Sequence, residues 1–140
     1  MSPLPTLLRL AQRRQDELAV QAARVDRLVD ELSGQVAALR AREQAEIFAA
    51  AGQPDYAALL PAYRQRVGRL IQELNVQLAA RRAERAMIGE QLAAAYAEKS
   101  KFEQLISQMR MREEAERLAR EQAVLDEIAI NRAGSSARSS

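Results

Sequence analysis

Gly52-Gln53-Pro54-Asp55 is the one strong interruption in an otherwise helical pattern, and its reading decides the fold. Glycine can end a helix with a positive φ, proline breaks the hydrogen-bond ladder, and aspartate can cap the helix that follows. A turn is therefore expected over about 52–60, with Asp55 to Leu60 forming a short helical piece and Pro61 at the first position of the next helix.

Upstream of the break, steps of seven from Leu4 meet Ala11, Leu18, Val25, Leu32 and Leu39, all apolar. Leu8, Ala22, Val29 and Val36 form a companion row, weakened near Gln15 and Gln21. This is a heptad pattern, which two helices bury by winding round one another. Ser2-Pro3 opens it, since serine accepts from exposed amides and proline tolerates the first helical position. A first helix over about 3–51 follows.

Downstream, Leu60, Val67, Leu74, Ile88, Ala95, Phe102 and Met109 repeat at the same spacing, interrupted by Arg81. Leu70, Ile71, Leu78, Leu92, Leu105 and Ile106 lie nearby. Past Met109 the next sites of that row and its companion, Glu113 and Glu116, are polar, while Met111, Leu118 and Leu125 define a displaced stripe joined by Ala115, Ala119, Ile128 and Ala129. No break occurs before Gly134, so one helix is expected over about 61–133, with 134–140 as a flexible tail.

The expected fold is all-α: a single antiparallel two-helix coiled-coil hairpin over 1–133, with unequal arms of about 70 Å and about 100 Å. Folding at 52–55 brings Leu39 near Val67, Leu32 near Leu74, Val25 near Arg81, Leu18 near Ile88, Ala11 near Ala95 and Leu4 near Phe102. Beyond Phe102 the longer arm has no partner within the chain, and its apolar groups form the leading interaction site.

Composition supports this architecture. Of 140 residues 48% are apolar, but 28 are alanine, which can line a long seam yet not fill a broad core. With no His and no Cys, the nucleophile pairs and metal sites built on those residues are excluded. Adjacent acids such as Asp16-Glu17 and Glu113-Glu114 point about 100° apart on a helix and read as solvated faces. The five glycines are scattered, so no phosphate-binding loop is present. The expectation is a non-enzymatic chain without cofactor or metal.

The net charge of +2 does not point to nucleic acid or lipid. Arg64, Arg66, Arg69, Arg81, Arg82 and Arg85 outnumber Glu73 and Glu84, either as a solvated face or as a protein-recognition surface; nucleic acid is disfavoured because no aromatic groups interleave with them. No apolar run is long enough to span a bilayer, and 1–14 lacks the apolar core of a secretory signal, so cytoplasmic residence is expected. The overhang of the second helix admits an external helix or groove, or a second copy of the chain.

Thr6-Leu7-Leu8-Arg9-Leu10-Ala11, Phe102-Glu103-Gln104-Leu105, the charged helix through Arg117, and Leu125-Asp126-Glu127-Ile128-Ala129-Ile130-Asn131-Arg132 resemble the flagellar export protein family FliJ. The resemblance implies a cytoplasmic coiled-coil stalk, peripheral to the inner-membrane export apparatus, similar to the central shaft of rotary ATPases. Its implied partners are the export ATPase hexamer, the export gate protein and export chaperones, with only indirect membrane association. Leu4, Leu8, Ala11 and Leu18, together with Phe102, Leu105, Ile106, Met109, Met111, Leu118, Leu125 and Ile128, become candidates for the ATPase-facing surface. Leu70, Ile71, Leu74 and Leu78 become candidates for the gate. The competing expectation is a structural coiled-coil scaffold or homo-oligomerisation module without a secretion role.

Overall fold

The computed structural model describes residues 2–138. It is an all-α, two-helix hairpin with unequal arms: α1 spans Leu4–Ala50, a one-turn α2 spans Pro54–Ala57, and α3 spans Leu60–Arg138. The arms contain 47 and 79 residues.

Local chemistry accounts for the ends. The Leu4 amide donates to Ser2 Oγ at 3.2 Å, so the serine satisfies one of the exposed donors of the first turn. At the other end Gly52 takes φ +77°, which reverses the chain at no cost in Cβ clash, while the Gln53 amide donates to the Ala50 carbonyl at 3.1 Å. Asp55 does not cap α2: Gln53 holds the cap position without a side-chain bond, Pro54 leads the helix, and Asp55 sits in its first turn. There its charge faces the positive end of the peptide dipoles. Tyr56 donates its hydroxyl to Glu46, tying the turn to α1 and raising the phenol's pKa through that bond. Pro61 is the second residue of α3 rather than its first.

The far end of α3 also departs from the sequence reading. Gly134 to Arg138, expected in a flexible tail, continue the helix, while Ser139 and Ser140 lie outside the described residues. A single glycine costs a helix about 1 kcal/mol, which does not by itself break a ladder that serine and alanine can extend.

The chain clusters into two compact units, one formed by Arg13–Tyr96 and the other by the described parts of 1–12 and 97–140. In the first unit, Leu18, Ala22, Val25 and Val36 of α1 and Val67, Leu78, Ile88 and Ala95 of α3 are buried. On α1 these alternate with half-buried Val29, Leu32 and Leu39, so the steps run three and four residues as a two-helix seam requires. The densest packing joins Ala22, Val25 and Ile88, with Val29 and Leu92 against them.

The pairing register differs from that of a fold at 52–55. Val25 packs with Ile88 rather than beside Arg81, and Arg85 Nε donates to Asp26 Oδ1 at 2.9 Å. The connection consumes more chain than a tight turn, because α2 and the two residues after it separate the helices and move the fold point toward α3. Arg81 lies exposed and bonds Glu84 at 2.9 Å along its own helix. Gln15 occupies a companion-row site half-buried, and its Oε1 is enclosed with no hydrogen-bond partner.

In the second unit, Ala11 and Ile106 are buried, and Leu4, Leu8, Phe102 and Met109 are half-buried. Pro5 and Leu8 share a groove with Ile106 and Met111, so the start of α1 reaches about one heptad further along α3 than Phe102. Past Met109 every residue through Ala137 is exposed. The unpaired stretch of α3 therefore begins near Arg110.

Candidate docking surface

Burial sorts the sequence-derived candidates into two groups. Leu4, Leu8, Ala11, Phe102, Ile106 and Met109 line the seam of their unit, and Leu18 is the most enclosed side chain of the other unit at 1% exposure. Their apolar area is already spent on holding helices together. Met111, Leu118, Leu125 and Ile128 are 70%, 51%, 59% and 43% exposed and are open to a partner, Met111 from the edge of the α1 groove. Leu105 belongs at the edge, exposed beside buried Ile106. Near the turn, Leu70 is exposed, Ile71 and Leu74 are half-buried, and Leu78 is buried. Leu70 and Leu74 line a shallow groove with Ala38, Leu39 and Arg42 of α1.

The displaced stripe has a definite direction. Successive residues turn by about 100°, so Met111 stands about 200° from Met109, and Leu118 and Leu125 continue on that side. Met111, Ala115, Leu118, Gln122, Leu125 and Ala129 are separated by alternating steps of four and three, a complete heptad pattern of which Met111 alone borders the groove with the start of α1. The seam face meanwhile passes to Glu113, Glu116, Arg120 and Glu127, all exposed.

Charge clamps stiffen the stretch. Arg117 donates from Nη2 to Glu114 Oε1 at 2.5 Å and from Nη1 to Glu121 Oε1 at 2.5 Å, bridging three successive turns. The bond from Arg117 holds the Glu114 carboxyl below its ordinary range, and that same bond raises the Arg117 guanidinium. Gln122 Nε2 donates to Asp126 Oδ1 at 3.0 Å. Spacings of three and four residues are those at which helical side chains meet, so the glutamate–arginine–glutamate clamp was readable in the sequence although the periodicity of apolar residues does not reveal it. The turn also exposes groups that the heptad rows do not predict: Phe48 is 84% and Leu59 67% exposed.

Among the described residues no cluster of His, Cys, Asp or Glu could hold a metal ion, and no helix is long and apolar enough to cross a membrane. What the surface offers is an apolar helix face bordered by charge, which can bind another helix and supplies no group for covalent chemistry.

No curated protein and no solved structure matches the chain. A family model described as flagellar FliJ protein matches residues 1–138, which covers both arms of the hairpin, the turn between them and the unpaired stretch of α3. The chain belongs to the FliJ family of flagellar export proteins, a family of non-catalytic coiled-coil components with a general role in flagellar export.

Proposed function

We propose that this chain is a cytoplasmic coiled-coil component of the flagellar type III export apparatus that docks on the export ATPase ring through the unpaired part of α3. The observation that carries the reading is the combination of a full-length family match with a helix face left bare from Met111 to Ile128. Nucleotide hydrolysis belongs to the partner ring; the rod connects the ring's conformational states to the export gate or to delivery of substrates and chaperones. Such coupling requires the stripe to bind one state of the ring more tightly than another, because equal affinity would shift no equilibrium. The seam residues serve this role indirectly, by holding α1 against α3 and leaving the opposite side of α3 free.

Leu70 and Leu74, open beside the α1 groove, are the corresponding gate-facing candidates, with Ile71 and Leu78 supporting them from the seam. Single substitutions Met111→Glu, Leu118→Glu and Leu125→Glu test the ATPase assignment. Each is expected to weaken binding to the purified export ATPase while circular dichroism shows unchanged helicity. Unaltered affinity in all three rejects the assignment of the stripe.

A further inference from the structure

We infer that the bare stripe of α3 also pairs with its counterpart in a second copy of this chain, antiparallel, about a two-fold axis at the level of residue 120. The sizes of the side chains suggest it first. One row of the stripe is large, Met111, Leu118 and Leu125, and the other is small or polar, Ala115, Gln122 and Ala129. An antiparallel pair sets each row against the other, giving layers of Met111 on the partner's Ala129, Ala115 on the partner's Leu125, and Leu118 on the partner's Gln122. Every layer then joins a large group to a smaller one, so the seam has even width.

The flanking charges choose the same orientation. Antiparallel pairing places Arg112 opposite the partner's Asp126 twice over, and Arg112 forms no other ion pair among the described residues. A parallel pair instead sets Glu121 against the partner's Asp126 on both sides and stacks Gln122 on Gln122. The antiparallel axis does bring the two Glu121 groups toward each other, but each is already held by its own Arg117. Exposed ion pairs contribute little affinity, so the apolar layers supply the binding and the charges the direction. The contact is isologous and closed, which limits assembly to a dimer.

The consequence for export rests on the proposed docking of this same stripe on the ATPase: a dimer hides the face the ring needs, so the two associations compete. The chain contains no cysteine, which makes the geometry directly testable in full-length protein. Ala119 lies beside the axis on the dimer side, whereas Met111 would stand about 27 Å along the axis from its counterpart in an antiparallel pair and level with it in a parallel one. Ala119→Cys is expected to form a disulfide-linked dimer under mild oxidation, and Met111→Cys and Arg120→Cys, the latter on the opposite face, are not. Crosslinking through Met111→Cys overturns the antiparallel arrangement. A wild-type chain that sediments as a monomer up to about 1 mM overturns the dimer itself. The oxidised Ala119→Cys dimer is expected to lose ATPase binding and to recover it on reduction; unchanged binding by the oxidised form refutes the competition. If the reduced form also fails to bind while the dimer forms, the docking assignment is at fault and the dimer stands.

Discussion

Truncating Met111, Leu118 and Leu125 together to alanine separates the two faces of α3. Full burial of a side chain of this size is worth about 1.5–3 kcal/mol. Their exposures of 70%, 51% and 59% leave roughly half to two-thirds of that to be gained on docking. Allowing for the methyl that alanine keeps, each contributes about 1 kcal/mol, so the triple variant loses about 3 kcal/mol, on the order of a hundredfold in Kd for the export ATPase. Its folding should change by no more than about 0.5 kcal/mol, because all three groups are more than half exposed and only Met111 borders α1. Leu18→Ala is the opposite case. Leu18 is 1% exposed, and its truncation removes seam packing worth about 2–3 kcal/mol, the lower part of the usual range because a two-helix seam can close partly over the gap. Thermal unfolding followed by circular dichroism should show Leu18→Ala melting about 5–10 °C lower, with the triple variant close to wild type. Titration against purified ATPase below the melting range should show the reverse order. If the triple variant binds as wild type does, or loses affinity only in proportion to lost helicity, the separation of a structural face from a docking face is wrong.

Gly52→Ala is expected to destabilise the hairpin by about 1–2 kcal/mol, since φ +77° is strained for any residue with a Cβ and no neighbouring atom is close enough to add a clash. Gly68→Ala, equally uncrowded but inside α3, should stabilise by about 1 kcal/mol, and a melting comparison of the two variants isolates backbone conformation from packing. Gln15→Leu should stabilise by about 1–2 kcal/mol in denaturant titration, because it removes an enclosed carbonyl oxygen that has no partner. The stretch around Arg117 should lose helicity in acid: Glu114 has its folded pKa lowered by Arg117, so its contribution is complete above its ordinary value of 4.5 and is lost as pH falls through the lower folded value. Amide exchange over 112–125 should show this loosening in wild type and not in Glu114→Gln.

The heptad rows were legible because seam positions carry a repeated apolar choice, with Gln15, Arg81 and Arg85 as interruptions. Each residue in the steps from Leu4 through Leu39 and from Val67 through Met109 is half-buried or buried, apart from Arg81. Where two apolar residues are adjacent, spacing alone does not say which one points inward. Leu70 and Ile71 stand about 100° apart, as do Leu105 and Ile106, and in each pair the second enters the seam. Register was less legible still. The expected and observed registers differ by one heptad and both set apolar rows against each other except at Arg81, so the decision lay largely in the turn, where α2 and its flanks moved the fold point away from Gly52 and Pro54. Arg85 became interpretable only once the register was known: it fills a row position, yet its charge leaves the seam at the edge to meet Asp26.

Polar residues beyond Met109 take part in this register as much as the apolar ones. If α1 slid one heptad further toward the end of α3, Leu8, which shares a groove with Ile106, would move to the level of Glu113, and Leu4, one turn earlier in α1, to that of Glu116. Covering either carboxylate with leucine would strip its hydration without a compensating bond, at a cost well above the gain from the leucine. A slide the other way would uncover Ile106 and Met109 to no benefit. The change from apolar to acidic on the seam face thus stops α1 where it lies, and beyond Met111, at the edge of the α1 groove, Leu118 and Leu125 continue a surface that α1 does not reach. Replacing Glu113 and Glu116 with leucine should therefore loosen the register without touching the stripe. Spin labels placed near Leu8 and Ile106 should then report a second, shifted separation, and a single unaltered distance would show that the acidic residues do not set the stop.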